Sequence, residues 1–263
     1  MSGRRSFWLL LLPFLLFARP AGAQAPISVC VDPEPPPWSF WKLDADGKRT
    51  GELSGFSVEL VRRLFHDAGH EIHFATDRPW SRCVHDMRVN KTGFAMDIYE
   101  EGPRVAETLY SVRYDTLTPQ IFTLRSHPIA VNTPADLKRY KGCGIPQGAY
   151  EHYGLQAKDL DMSANGYAGV VQKLKGGHCD YFVEELEILA GLRLNHEDYL
   201  DDPDIVHRPL KGVKPPSMHL ATARDGLDSA LIPKFNAEIE AMEKSGELAA
   251  LWRKYAGDVP YHR

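Results

Sequence analysis

Apolar residues along this chain fall in short runs and in longer stripes of helical spacing, and the two alternate. Ile27 to Val31 is a short run with β-branched residues, closed by Asp32-Pro33-Glu34-Pro35-Pro36-Pro37, whose prolines demand an extended turn. Gly55 to Gly69 carries Phe56, Leu60, Val61, Leu64, Phe65 and Ala68 on one helical face, and Gly69 supplies the stop. Glu71 to Ala75 reads as the next strand. Strand, helix and strand in that order predict a parallel pair with ligand loops at the strand ends. Pro79 to Val89 predicts a second helix, and Phe94 to Ile98 a further strand that runs into the loop Tyr99 to Arg104.

The second half has the same alternation without a sequence repeat. Thr116 to Arg125 is a continuous extended stretch, followed by a loop and a short helix over Pro134 to Tyr140. Gly142 to Pro146 starts a strand, Gly166 to Leu174 is a helix, and Asp180 to Val183 is a strand. Ser217 to Ala223 is a second extended stretch. Beyond it, Phe235, Ile239, Met242, Leu248, Leu251 and Trp252 mark terminal helices over Ile232 to Tyr255. Two extended crossings, near 117–122 and 217–222, bracket the second half, as expected of a chain that leaves one lobe and returns to it. The expected division is therefore a leader over 1–23, a first lobe over 24–122 and 217–263, and a second lobe over 123–216.

The N-terminus reads as a secretory leader: Arg4 and Arg5, the apolar run Phe7 to Phe17, and the small-residue site Ala21-Gly22-Ala23, with cleavage expected after Ala23. The apolar run is shorter than the roughly 20 residues of a spanning helix, so membrane insertion is not expected. Arg4-Arg5-Ser6-Phe7 is similar to a twin-arginine signal, but the leucine-rich run favours general secretion. Losing the three leader arginines moves the formal charge from −4 to −7. That balance gives no electrostatic reason to expect nucleic acid or an anionic membrane as partner.

Export makes disulfides likelier than reactive thiols for Cys30, Cys83, Cys143 and Cys179. Spacing favours Cys30 with Cys83 and Cys143 with Cys179 among three possible pairings, with buried free thiols as the alternative. No two cysteines have the close spacing of zinc-ligand pairs. His66 and His70 share a helix face and His73 is near, yet cationic histidines at a helix end suit the dipole, so neither metal nor cofactor is expected.

Beyond these patterns, the chain resembles the amino-acid-binding group of periplasmic solute-binding proteins, the ligand receptors of ABC importers. The marks are Val31-Asp32 through Pro36-Pro37-Trp38-Ser39-Phe40, Asp44 to Gly47, Gly55-Phe56-Ser57-Val58-Glu59-Leu60 and Pro79-Trp80. Pro103-Arg104 with Tyr110-Ser111 and Tyr114, Leu137 to Gly148, and Leu248 to Gly257 complete the set. The resemblance implies an α/β, two-lobed type II periplasmic binding fold, each lobe a mostly parallel sheet flanked by helices, with two hinge crossings and a ligand caught by hinge closure. It also implies a periplasmic monomer, not an enzyme, that hands a small molecule to an importer permease or a sensor.

In that family Arg104 would grip a ligand carboxylate bidentately; read alone, it is a surface arginine paired with Glu100, Glu101 or Glu107. Trp80 would pack on the ligand, as an aromatic face can hold an apolar group or a cation. Glu185, or its neighbour Glu184, would receive an ammonium group, although with Glu187 these acids also read as a solvated turn. Gly148-Ala149-Tyr150 would face the ligand at a helix start, with Tyr150 offering a ring or hydroxyl where Ala149 lacks one.

Asp97 and Tyr99 depart from the family pattern, as does Pro35 at an aromatic position for which Trp38 or Phe40 would have to compensate. A carboxylate at Asp97 would repel a ligand carboxylate unless protonated or paired, which points to a cationic or amine-bearing solute; its alternative is a buried partner of Arg104 or a helix cap. Competing functions are a dehydratase of the cyclohexadienyl type on the same fold and an accessory protein that binds a periplasmic partner with an empty cleft.

Overall fold

The computed structural model describes residues 25–100, 105–146 and 148–263, so the leader, its cleavage site and Arg104 lie outside the described residues. The apolar run after the leader forms β1 (Ile27–Cys30), and the helical stripe forms α1 (Phe56–Asp67). Between them, β2 (Phe40–Leu43) and β3 (Arg49–Ser54) make a hairpin that the sequence reading lacked. Asp44 holds its turn by accepting the N–H groups of Asp46 and Lys48. Then come β4 (Ile72–Ala75), α2 (Trp80–Arg88) and β5 (Phe94–Tyr99). As expected of strand–helix–strand units, β1 pairs in parallel with both β4 and β5.

After β6 (Thr108–Tyr110), the extended stretch expected over 116–125 is split. The first piece, β7 (Asp115–Thr116), pairs with the late strand β13 (Ser217–Ala223), whereas β8 (Pro119–Leu124) joins a different sheet. The chain therefore changes sheets at Leu117-Thr118, where a proline follows and neither sheet offers a register partner. The first sheet runs β4-β1-β5-β13-β6, with β7 also on β13.

The second sheet is built from β9 (Gly142–Cys143), β10 (Leu160–Asp161), β11 (Tyr181–Glu185) and β12 (Ile205–Pro209), in the order β10-β9-β11-β8-β12. Its helices are the single turn α3 (Pro134–Leu137), α4 (Gly166–Lys175) and α5 (Leu186–Gly191). Both α3 and β9 are shorter than their predicted spans. The terminal stripe forms two helices, α6 (Ile232–Ser245) and α7 (Glu247–Ala256), broken at Gly246, whose φ of 80° suits a helix stop.

The two connections between sheets run side by side. Leu117 N–H donates to Pro216 O at 2.9 Å, and Leu210 N–H donates to Pro119 O at 3.1 Å. Next to them α7 returns to the first sheet and buries Trp252 against Phe56, ring centroids 5.3 Å apart, and against Trp38 at 6.0 Å. Across the gap α5 meets the proline loop so closely that a Cβ on Gly191 would lie 2.1 Å from Pro36 O.

Each half holds one bridge, Cys30–Cys83 tying β1 to α2, and Cys143–Cys179 tying β9 to the loop before β11. The pairing that the spacing favoured is the one present. Among the described residues no helix is long and apolar enough to cross a membrane.

Candidate ligand-binding cleft

The strand ends of the two sheets face a cleft of about 550 Å3, a volume suited to a small molecule. The loop after β1 contributes Asp32 and Pro35, the start of α2 contributes Trp80, and the end of β5 contributes Asp97 and Tyr99; Ala149 and Ile188 close it from the other side. It continues into a hollow of about 660 Å3 in the second layer, which shares Asp32, Tyr99 and Ala149 and adds Asn165, Tyr167, Glu184 and Glu185.

Asp97 reaches the cleft through an irregularity in its strand. Ile98 pairs with His219 and Ala95 with Ala221, so Met96 and Asp97 together oppose Leu220. Asp97 takes a φ of 57°, a left-handed conformation that aspartate tolerates better than most side chains. Its backbone N–H donates to the Tyr114 hydroxyl at 2.8 Å, and that hydroxyl donates back to Asp97 Oδ1 at 2.8 Å. The Ser57 hydroxyl also donates to Oδ1. Burial raises the Asp97 carboxyl to about 6, opposed by these hydrogen bonds and assisted by the nearby charge of Asp32. Asp32 is itself raised by burial.

The second wall is acidic too. Glu184 and Glu185 end β11 and are buried rather than forming a solvated turn. The Tyr167 hydroxyl, at the start of α4, donates to Glu184 Oε2 at 2.7 Å, and Glu185 N–H donates to Glu184 Oε1 at 3.1 Å. Glu185 Oε1 meets His152 Nε2 at 2.7 Å and accepts the Tyr153 hydroxyl at 3.2 Å. Burial pushes Glu184 well above the usual carboxylate range, with the Glu185 charge adding to it, and burial raises Glu185 also. Glu34, Glu151 and Glu197 complete the acidic lining, and no lysine or arginine lines either hollow among the described residues.

The structure thus brings together Trp80, Asp97, Tyr99, Ala149, Glu184 and Glu185 from the sequence-predicted site. Tyr150 is turned the other way: it is 4 % exposed in the core of the second layer, its hydroxyl accepts Ile145 N–H at 2.8 Å, and it lines neither hollow. A large ring beside Gly144 and Gly148 gains more by filling that core than by facing water. Trp38 likewise belongs mainly to the core, where its Nε1–H donates to Asp115 Oδ2 at 2.6 Å. Asp97 is no helix cap, since its partners are Ser57 and Tyr114.

Sequence reading missed Asp32, Tyr167 and His152. Asp32 had a signal in its place at a strand end, next to the proline run, while nothing local marked the other two. His66 is exposed against Asp67, and no three metal-binding side chains are grouped among the described residues.

With this geometry in hand, the family model described as "Bacterial extracellular solute-binding proteins, family 3" matches residues 27–258. Among solved structures, the amino acid ABC transporter substrate-binding protein AbpA from Streptococcus pneumoniae, bound to L-arginine, is 21 % identical with a TM-score of 0.65, over 87 % of this chain and 93 % of that one. The L-cystine solute receptor of Neisseria gonorrhoeae, in an unliganded open conformation, is 17 % identical with a TM-score of 0.59, over 88 % and 92 %. A histidine kinase sensor domain with similarity to periplasmic binding proteins is 23 % identical with a TM-score of 0.64, over 89 % and 97 %. At these identities the likeness is one of fold. No curated protein sequence matches the chain.

Proposed function

Because the chain belongs to the bacterial extracellular solute-binding proteins of family 3, we propose that it is a periplasmic, monomeric, non-catalytic receptor that takes up a small cation-bearing solute and delivers it to an ABC importer. The carrying observation is the charge of the cleft: acids on both walls, with no described lysine or arginine among them. An ammonium or guanidinium group entering there would meet Asp97 and Asp32 on one side and Glu184 and Glu185 on the other. Each of these carboxyls is held above its ordinary range by burial, and a cation would restore its ionised form. Trp80 and Tyr99 would cover the cation with aromatic faces.

Arg104, outside the described residues, is proposed to hold a carboxylate if the solute carries one. The proposed lobes are 24–117 with 217–263, and 118–216, the first boundary lying five residues before the sequence expectation of 122. The pairing of Pro119–Leu124 with β11 supports placing the first crossing at residues 117–118.

Thermal shift tests the ligand class with L-arginine, L-lysine, putrescine and L-glutamate as probes. A cationic probe at a hundred times its Kd should stabilise by about 2.7 kcal/mol, or roughly 5–10 °C for a chain of this size. Stabilisation by glutamate alone, or by none of the four, would count against the reading.

One observation favours a second reading. Glu184 is a buried carboxyl beside a cleft, and burial raises it well above the usual carboxylate range, the direction a general acid needs. Turnover of prephenate or arogenate by the purified protein would establish a dehydratase in place of a receptor.

A further inference from the structure

The first crossing between the sheets is clasped by α5. Leu186 N–H donates to Thr118 O at 3.0 Å, and Thr118 N–H donates to Glu187 Oε2 at 2.9 Å, so the first turn of the helix is fastened to the point where the chain changes sheets. Glu187 is 1 % exposed, and its other oxygen, Oε1, is buried with no hydrogen-bond partner among the described residues. A carboxylate would leave that oxygen charged and unsolvated, whereas a neutral carboxyl leaves only a weak dipole there.

The groups around it sharpen the preference. On β7, Asp115 is equally buried, accepting Trp38 Nε1–H at 2.6 Å and Thr116 N–H at 2.9 Å. Asp97 on β5 acts on Asp115 in turn, and Glu185 stands two residues before Glu187 on the same segment. Against burial stands the pull of the Thr118 N–H hydrogen bond and, more weakly, of the charge on His262, which favours the charged form of Glu187. Burial outweighs it and raises both Glu187 and Asp115 above the ordinary carboxylate range.

From this geometry we infer that Glu187 is a positioning residue for cleft movement: as a neutral carboxyl it lets α5 pack on Thr118 with Oε1 unpartnered, and its ionisation leaves that oxygen charged and unsolvated, which drives α5 off the crossing and parts the two layers. The segment also carries Glu184 and Glu185, so displacement of α5 moves one wall of the cleft. The inference concerns the hinge and stands whichever solute fills the cleft.

Small-angle scattering of the ligand-stripped protein from about pH 4.5 to about pH 8.5 tests it. The radius of gyration of the unaltered chain should rise with pH. That of Glu187→Gln, which keeps an acceptor for Thr118 without an ionisable group, should stay at the low-pH value throughout. A rise in the variant equal to that of the parent, or no rise in either, would overturn the inference. Should the variant fail to fold, carboxyl-carbon NMR of the parent across the same pH range decides: the Glu187 carboxyl is expected to ionise together with the rise in radius, and a radius that rises while the Glu187 signal stays unchanged refutes it.

Discussion

Replacing Cys30 and Cys83, or Cys143 and Cys179, by serine is expected to cost about 4 kcal/mol per bridge, the largest loss for any pair of substitutions considered for this chain. The sequence separations are 53 and 36 residues, and the entropy of closing loops of that size in the unfolded chain sets the magnitude. For a chain this long, the loss corresponds to roughly 8–16 °C in Tm. Calorimetry of each double variant, with the parent in reductant as a second arm, measures it; a Tm unchanged in both would mean that the bridges do not constrain the unfolded ensemble.

The two bridges should differ in their functional effect. Cys83 lies less than one turn beyond Trp80 on α2, so opening Cys30–Cys83 frees the helix that presents Trp80 and should also weaken a cationic probe. Opening Cys143–Cys179 leaves the aromatic wall untouched and acts on β9, two residues before Ile145 of the second hollow, so it should lower Tm with a smaller loss of affinity.

Asp97→Asn should make the empty protein more stable and the ligand complex weaker. Below about pH 3.8 the side chain is protonated in both folded and unfolded chains, and it adds no pH dependence. Between that value and about 6 the folded chain binds more protons, so stability falls as pH rises; above about 6 the cost is complete, on the order of 3 kcal/mol. Asparagine keeps an oxygen for Ser57 and Tyr114 and tolerates the left-handed backbone, so it removes the charge and spares the geometry. Denaturation across pH should show the variant's advantage at pH 7 and its disappearance near pH 4. Affinity for arginine or putrescine should fall in the variant, and in the parent it should rise with pH through about 6. Identical pH profiles for parent and variant would remove Asp97 from both roles.

Much of the fold was legible because its strands and helices carry their burial pattern locally. The apolar stripe of α1 and the β-branched run of β1 needed no tertiary information, and the proline loop announced a strand end at a ligand site. The hairpin of β2 and β3 lacked that signal, since its residues are mostly half-buried or exposed. The extended stretch around residue 118 looked continuous because switching sheets leaves no mark in hydropathy. Asp97 stood out only as a departure from the pattern of the family that the chain resembles. The acids Glu184, Glu185 and Glu187 resembled a solvated turn, and only the packing of Tyr153, Tyr167 and α5 over them shows why three carboxyls are buried within four residues. Tyr150 was misplaced for the converse reason: a ring that suits a ligand equally suits a core.

In any closing of the two layers, the contact of Gly191 with Pro36 would act as a mechanical stop. Backbone meets backbone there, so the approach of α5 to the proline loop is limited by main-chain atoms. Side chains lining the cleft can then exchange one ligand chemistry for another without altering how far it shuts. A larger residue at position 191 would act as a wedge, setting a wider shut position for every solute alike.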